Sequence, residues 1–386
     1  MTQHFDIAVI GAGPAGSTAA RAAASAGRKV ALFERNSRPG LPVRCGEGIG
    51  MRSLTAHSDA RPEWIRRNIS RSVMIAPDGT VVSVADIDKS VILDRARMDG
   101  DLARDAESAG AQLFVNTPVI DIYRNNDLTY ILTTSTGDIS ARIAIIADGV
   151  ESRLARKLGW NTRLSSNDVE SCAFIRVFSP LIDQDACSFY VGSRIAPGGY
   201  AWIFPRGNGE ANVGLGLSGV HCKTGSPKEF LYRFIDRELP GAKTGEFHCG
   251  GVPVARYVRP LVRDGAMLVG DAARQVNCLS GAGIAYSLFA GKSAGSIAAV
   301  AVTAAGVDYP KLQEYEKQWK IRYGKQQERS FVLKEFVTQH TDDSFLNNIA
   351  SKLNKKRNGK IRYLTVFLST FSRHPLLMFK AFKLFG

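Results

Sequence analysis

One stretch near the amino end restricts what this chain can fold into. Between Phe5 and Glu34 it reads FDIAVIGAGPAGSTAARAAASAGRKVALFE. Asp6 to Ile10 runs apolar with little alternation, the pattern of a parallel strand buried on both faces. Gly11, Gly13 and Gly16 then fall in the G-x-G-x-x-G spacing. The first permits a tight turn, the second lets a pyrophosphate approach the backbone, and the third lets helix and strand pack closely. An alanine-rich segment from Ala15 to Ala26, closed by Gly27, predicts a helix whose free N–H groups and positive dipole end face the phosphates. A second strand, Lys29 to Phe33, ends on Glu34, a carboxylate placed to accept ribose hydroxyls. Glycine-rich turns occur in unrelated α/β proteins, but here strand, helix, second strand and terminal carboxylate stand in register.

The chain has 386 residues, enough for two domains or for one with a large insertion. Fifty Lys and Arg against 36 Asp and Glu give a net charge of +14, which points to an anionic partner surface or substrate. The six cysteines (Cys45, Cys172, Cys187, Cys222, Cys249 and Cys278) show no metal-ligand spacing, so reduced cytoplasmic thiols and no metal site are expected. MTQHFD enters the first strand at once, leaving no room for a signal peptide. Gly281 to Gly306 is apolar but interrupted by Lys292, and reads as a buried helix rather than a membrane span.

Further along, Pro42-Val-Arg44-Cys45-Gly46-Glu47-Gly48 is a backbone able to press against a flat ligand. Residues 72–93 read as strands around a Pro77-Asp78-Gly79 turn. Asp99 to Ala109 has helical periodicity, and Gln112 to Val115 reads as a strand. Val119 to Ser135 and Ile139 to Ala147 alternate like a meander, ending at Asp148-Gly149. Residues 166–264 are mostly β-like, and a buried strand, Ala266 to Val269, leads into Gly270-Asp271. Gly281-Ala-Gly283-Ile284 opens another helix, whose amino end could stabilise negative charge. From Tyr309 onward the pattern is helical and increasingly basic. Gly214-Leu-Gly216-Leu-Ser-Gly219 repeats the glycine spacing, but no helix opens behind it, so it is rejected as a nucleotide site.

The amino-terminal fingerprint alone accommodates FAD or NAD. The order of motifs at 11–34, 148–149, 270–271 and 281–284 resembles the glutathione-reductase-type FAD proteins of the p-hydroxybenzoate hydroxylase class, over roughly residues 1–305. Within that class, Arg44-Cys45-Gly46-Glu47-Gly48 is similar to the PxRCGEG segment of the geranylgeranyl reductase family. The family's second signature, YxWxFP, then eight residues, then GxG, stands here as Tyr200-Ala-Trp202-Ile-Phe204-Pro205, RGNGEANV and Gly214-Leu-Gly216. Asp94-Arg95-Ala-Arg97-Met98-Asp99 is similar to the family's dRxxFD, with Met in place of Phe.

The resemblance implies an α/β fold: a Rossmann-like FAD-binding domain (1–71, 94–165 and 265–305) with an inserted antiparallel β-sheet substrate domain (72–93 and 166–264). A helical, basic region would follow over 306–386. It implies that Ala15, Glu34, Cys45, Gly46, Gly48, Arg95, Val119, Asp271, Gly283 and Ile284 touch FAD, beside Gly11, Gly13, Gly16, Arg44 and Asp148. Cys45 would lie near the flavin ring, in a cationic setting beside Arg44 that lowers its thiol pKa, and Glu47 would serve as a proton relay or a loop cap. Tyr200, Trp202 and Phe204, alternating on a strand and so sharing a face, would line a lipid pocket. The implied activity is FAD-dependent reduction of isolated C=C bonds in geranylgeranyl chains, with electrons from NAD(P)H or a reduced carrier protein. A flavin monooxygenase or halogenase acting on an aromatic, and a non-catalytic prenyl-lipid binding protein, remain as alternatives.

The tail bears on location. From Lys352 to Gly386 there are nine Lys or Arg and no Asp or Glu, interleaved with Tyr363, Phe367, Phe371, Phe379, Phe382 and Phe385. Pro375 should divide the stretch into two short helices. No nucleic-acid motif accompanies the charge. The mixture suits peripheral binding to an anionic membrane, such as the inner face of the cell membrane, each cation near the surface contributing about 1 kcal/mol. In liposome flotation the intact protein should rise with anionic but not neutral vesicles, and a chain ending at Ser351 should stay behind. Equal flotation of both would return the tail to ordinary packed helices.

Overall fold

The computed structural model describes residues 3–85, 89–223, 225–340 and 342–355. Its first layer is an eight-stranded sheet. Strand Gln3–Ile10 lies at its centre, parallel to Gly137–Ile146 on one side and to Val30–Phe33 on the other. Gln112–Phe114 and Ala266–Leu268 extend the parallel set outward. Val119–Arg124 and Tyr130–Thr134 form the expected meander with Gly137–Ile146. The central strands are apolar on both faces because helices cover them: Ile7, Ala8, Val9, Ala144 and Ile145 are wholly buried.

Helix Pro14–Ser25 follows the first strand and packs along helix Ile284–Ala301. Glycines make this approach possible. A Cβ at Gly291 would lie 2.0 Å from the Ala15 carbonyl oxygen, and one at Gly295 2.1 Å from that of Ala19. Ile284–Ala301 is long and apolar enough, by length and composition, to cross a membrane, yet most of it is buried inside the protein.

The second layer is a seven-stranded sheet in the order Lys243–Val252, Glu170–Phe178, Glu210–Ser218, Tyr200–Gly207, Ala186–Tyr190, Arg71–Ile75 and Val81–Ala85. One face packs on helix Pro227–Glu238, burying Ala173, Ile175, Val213, Leu215, Leu231 and Phe234 together. Sequence reading missed this helix inside its β-like stretch, although Ser226 and Glu229 form a full capping box, an S-x-x-E signal. Of the stretch 72–93, the first two strands join this sheet. Ser90–Leu93 instead pairs with Gly48–Gly50 and Ile65–Asn68 in a three-stranded sheet.

At the carboxyl end, helices Tyr309–Trp319, Lys325–His340 and Asp343–Lys355 follow one another. The last packs Ala350 and Leu353 against Val82 and Val84, and Asn354 donates to the Val81 carbonyl. Ending the chain at Ser351 would therefore cut into a docked helix, and a cut after Lys355 isolates the tail more cleanly. The break at Pro375 and the aromatics from Tyr363 onward lie outside the described residues.

Because the Gly295 contact is with backbone, which cannot rotate aside, Gly295→Ala should destabilise the fold by about 1–3 kcal/mol. Urea unfolding should show a lower midpoint at an unchanged slope. An unchanged midpoint would mean that the helices can separate freely.

Candidate active site

The glycine turn behaves as its spacing requires. Gly11 has a left-handed φ of 102°, and a Cβ there would lie 2.3 Å from the Ala147 carbonyl oxygen. A Cβ at Gly16 would lie 1.8 Å from the Gly11 oxygen, whereas one at Gly13 would meet nothing within 4 Å. The turn therefore presents bare backbone at Gly13 to a phosphate. Glu34, buried at the end of its strand, accepts from the Ala12 N–H at 3.1 Å and from the Asn36 backbone and amide at 2.9 and 2.8 Å. Val119 begins the next strand beyond Thr117, whose N–H donates to the Glu34 carbonyl. Ala15 is packed by its side chain, leaving its N–H at the helix start as its polar contribution. Asp148 follows strand Gly137–Ile146; one carboxylate oxygen accepts from the Leu154 N–H at 3.3 Å and the other, buried, has no partner.

The residues of the second motif converge on a buried carboxylate. Glu47 adopts a left-handed φ of 70° and is 1% exposed. Its Oε2 lies 2.6 Å from Arg206 Nη1, 2.9 Å from Arg176 Nη2 and 3.2 Å from Asn212 Nδ2, while Oε1 accepts from the Arg95 N–H at 3.3 Å. Burial pushes this carboxyl up and Arg176 pulls it back. Arg176, Arg206 and Asn212 were not singled out from sequence. Arg206 and Asn212 nonetheless lie within the eight residues separating YxWxFP from GxG.

The sheet facing this loop is laid out in rows. Cys172, Gly216 and Tyr200 are cross-strand neighbours; so are Phe174, Gly214 and Trp202, and then Arg176, Asn212 and Phe204. Tyr200, Trp202 and Phe204 thus share a face, with successive ring centroids 6.0 Å apart. Gly46 and Gly48 press onto them: Cβ atoms there would lie 3.3 and 3.2 Å from the Phe204 ring. Trp202 donates to Asn212, which in turn donates to the Cys45 carbonyl. Trp202 and Phe204 are 6% and 8% exposed, so they floor the site, and the half-buried Tyr200 reaches its rim to donate to the Ser280 carbonyl at 2.7 Å.

Cys45 requires a correction. Arg44 packs beside Gly250, and the cation facing the thiol is Arg95, fixed by two bonds to Asp99 at 2.8 and 2.7 Å. Burial outweighs Arg95, so the thiol is pushed up rather than lowered. Arg95 also faces Asp271, which burial pushes up to about 6. The Asp271 Oδ1 would lie 3.5 Å from a Cβ on Gly283, immediately before helix Ile284–Ala301. The Asp271 carboxyl makes no side-chain hydrogen bond or ion pair among the described residues. The uncovered backbone at Gly13, Glu34 at its strand end and this unpartnered carboxyl beside Gly283 together fit an extended dinucleotide carrying a flavin.

Comparisons with known proteins agree with this geometry. The sequence model of the geranylgeranyl reductase catalytic domain matches residues 168–252, and that of pyridine nucleotide-disulphide oxidoreductases matches 5–176. The chain is 40% identical to the digeranylgeranylglycerophospholipid reductase of Methanothrix thermoacetophila over 92% of its length and 93% of that protein. It is 38% identical to reductase 2 of that name from Methanococcoides burtonii, over 92% and 89%. The crystal structure of a geranylgeranyl bacteriochlorophyll reductase-like protein from Thermoplasma acidophilum superposes with a TM-score of 0.89 at 30% identity, covering both chains fully. The myxobacterial chondrochloren halogenase shares the fold at a TM-score of 0.68 and 19% identity, covering 84% of this chain and 81% of its own.

Removing the Glu47 carboxylate would leave Arg206 and Arg176 sharing only the half-exposed Glu210, 3.6 and 3.5 Å away. Glu47→Ala should therefore cost about 3–5 kcal/mol of stability, with Glu47→Gln costing less because its amide oxygen still accepts. Chemical denaturation of the two variants checks this, and equal small losses would show that the ion pair is dispensable.

Proposed function

Because the chain belongs to the geranylgeranyl reductase family, we propose that it reduces the isolated C=C bonds of geranylgeranyl chains carried on a digeranylgeranyl glycerophospholipid, with FAD as cofactor. The observation that carries this reading is the contact of the Cys45–Gly48 loop with the aromatic column Tyr200–Trp202–Phe204. It joins a flavin-type dinucleotide site to an apolar sheet face.

Glu34 and the Gly11–Gly16 turn would hold the adenosine and pyrophosphate portions, and Arg95, Asp271, Gly283 and the Cys45–Gly48 loop the flavin portion. When bound and reduced, FAD supplies a hydride. An isolated alkene has no carbonyl to polarise, so the protein contributes orientation, exclusion of water and a proton. Gly46 and Gly48 allow close approach to the loop backbone. The half-buried Tyr200, at the end of the column that the loop leaves uncovered, offers apolar contact to a chain whose methylene equivalents gain about 0.8 kcal/mol each on burial. Cys45, with its thiol kept protonated by burial, lies at the junction of loop and column. Electrons come from NAD(P)H or a reduced carrier protein, and the basic tail holds the enzyme at an anionic membrane surface where such lipids reside.

The test is anaerobic. Protein reduced with dithionite and given geranylgeranyl glycerophospholipid should yield products heavier in steps of two hydrogens. A hydroxylated or halogenated aromatic product in air, with no alkene reduction, would overturn the reading. Cys45→Ala should keep its FAD and slow prenyl reduction in a single turnover. An unchanged rate would leave Cys45 a packing residue.

A further inference from the structure

The sheet face carries one carboxyl that the arrangement above leaves unused. Glu170 opens strand Glu170–Phe178, two residues before Cys172 and so on the same face as Cys172 and Phe174. Its Oε2 reaches across the neighbouring glycine strand: Cβ atoms at Gly216 and Gly199 would lie 3.3 and 2.9 Å from it. Gly216 is also the cross-strand partner of both Cys172 and Tyr200. The residue paired with Glu170 on its other side, Val252, would touch a Cβ on Gly281 at 3.6 Å, and Tyr200 donates to Ser280. Glu170, Cys172 and Tyr200 therefore form the end of the sheet face that meets the Ser280–Ile284 turn. The Cys45–Gly48 loop covers the Trp202 and Phe204 end.

Among the described residues the Glu170 carboxyl has no hydrogen-bond or ion-pair partner. The groups that face it are the Cys172 thiol, the Tyr200 phenol and, from helix Lys325–His340, the Lys334 ammonium, which itself donates to the Asn167 carbonyl and pairs with Glu335. We propose that Glu170 is the proton donor of the reduction, a role that rests on the function proposed above. The hydride forms a C–H bond at one alkene carbon. The π electron pair takes the carboxyl proton at the other carbon, the O–H bond leaves its electrons on oxygen, and the carboxylate regains a proton from water. The product gains two hydrogens, one from hydride and one ultimately from solvent. Protonation suits the role: loss of water around the carboxyl pushes it up to about 7, against the pull of Lys334. The neighbouring Cys172 and Tyr200 are pushed up by burial and hold their protons too tightly to release them near neutral pH.

The experiment compares wild-type holoenzyme with Glu170→Gln. Infrared spectra of the oxidised holoenzyme, without turnover, should show a protonated-carboxyl band that titrates near neutral pH and is missing in the variant. In Lys334→Gln the same band should persist to higher pH, because a cation has been removed. In a single turnover Glu170→Gln should lose about 10²–10⁴-fold in prenyl reduction at unchanged FAD content. A band absent from wild type, or titrating in the ordinary carboxylate range, overturns the inference. So does Glu170→Gln reducing prenyl chains as fast as wild type. Wild type that reduces no prenyl chain under dithionite overturns the function on which the inference rests, whatever the band does.

Discussion

The three-stranded and seven-stranded sheets are pinned to each other by one buried carboxylate, beside the apolar contacts of Ile69 and Ile92 with Phe174, Trp202 and Phe204. Glu47 belongs to the loop that leads into the three-stranded sheet, while Arg176, Arg206 and Asn212 belong to three strands of the seven-stranded sheet. Taking such charges from water costs several kcal/mol per ion, so an apolar cluster of equal volume would hold the sheets together at least as well. What the ion pairs add is geometry. They fix the loop to the face at a defined place and offset the roughly 1–3 kcal/mol of strain in a non-glycine left-handed residue. With Glu47 fixed, Cys45 and Gly46 have little freedom to be elsewhere.

That anchoring explains the glycines around it. Gly46 and Gly48 lie flat on Phe204, and Gly214 gives its space to the Trp202 ring, which a Cβ would approach to 2.3 Å. The face is thus built of large rings set over bare backbone, with polar side chains at both ends of the aromatic column. At one end is the arginine pair around Glu47. At the other are Glu170, Cys172 and Tyr200. The loop covers the Trp202 and Phe204 end, so the column is open only at the end where Glu170, Cys172 and Tyr200 stand.

Most of the dinucleotide half could be read from sequence because its signals are local. The first strand, its glycine turn, the helix and the second strand span only Phe5 to Glu34, and each predicts its neighbour. Helix Pro227–Glu238 was also locally signalled by Ser226 and Glu229, but its setting in a β-rich stretch hid it. The ion-pair cluster could not be read that way: Arg206 is 159 residues from Glu47, and nothing in spacing pairs them. Sequence adjacency misled for Cys45, where Arg44 is next in the chain but Arg95, folded in from a distant helix, faces the thiol. Burial, the stronger influence on that thiol, is a property of the assembled fold. The aromatic alternation at Tyr200, Trp202 and Phe204 did predict a shared face. How deeply the last two are sunk depended on the loop above them.

The close contact of the two long glycine-bearing helices sets a stagger as well as a separation. Ala15 lies against Gly291 and Ala19 against Gly295, so the helices run in the same direction. Ala15 is the second residue of its helix and Gly291 the eighth of its own. At about 1.5 Å per residue, the amino end at Ile284 stands about 9 Å ahead of the one at Pro14. Two positive helix ends are thereby held like marks on a ruler, one at the phosphate turn and one farther along. Ala15, Ala19, Gly291 and Gly295 mark that interval, and a one-turn slip between the helices would move one mark relative to the other by a full helical pitch.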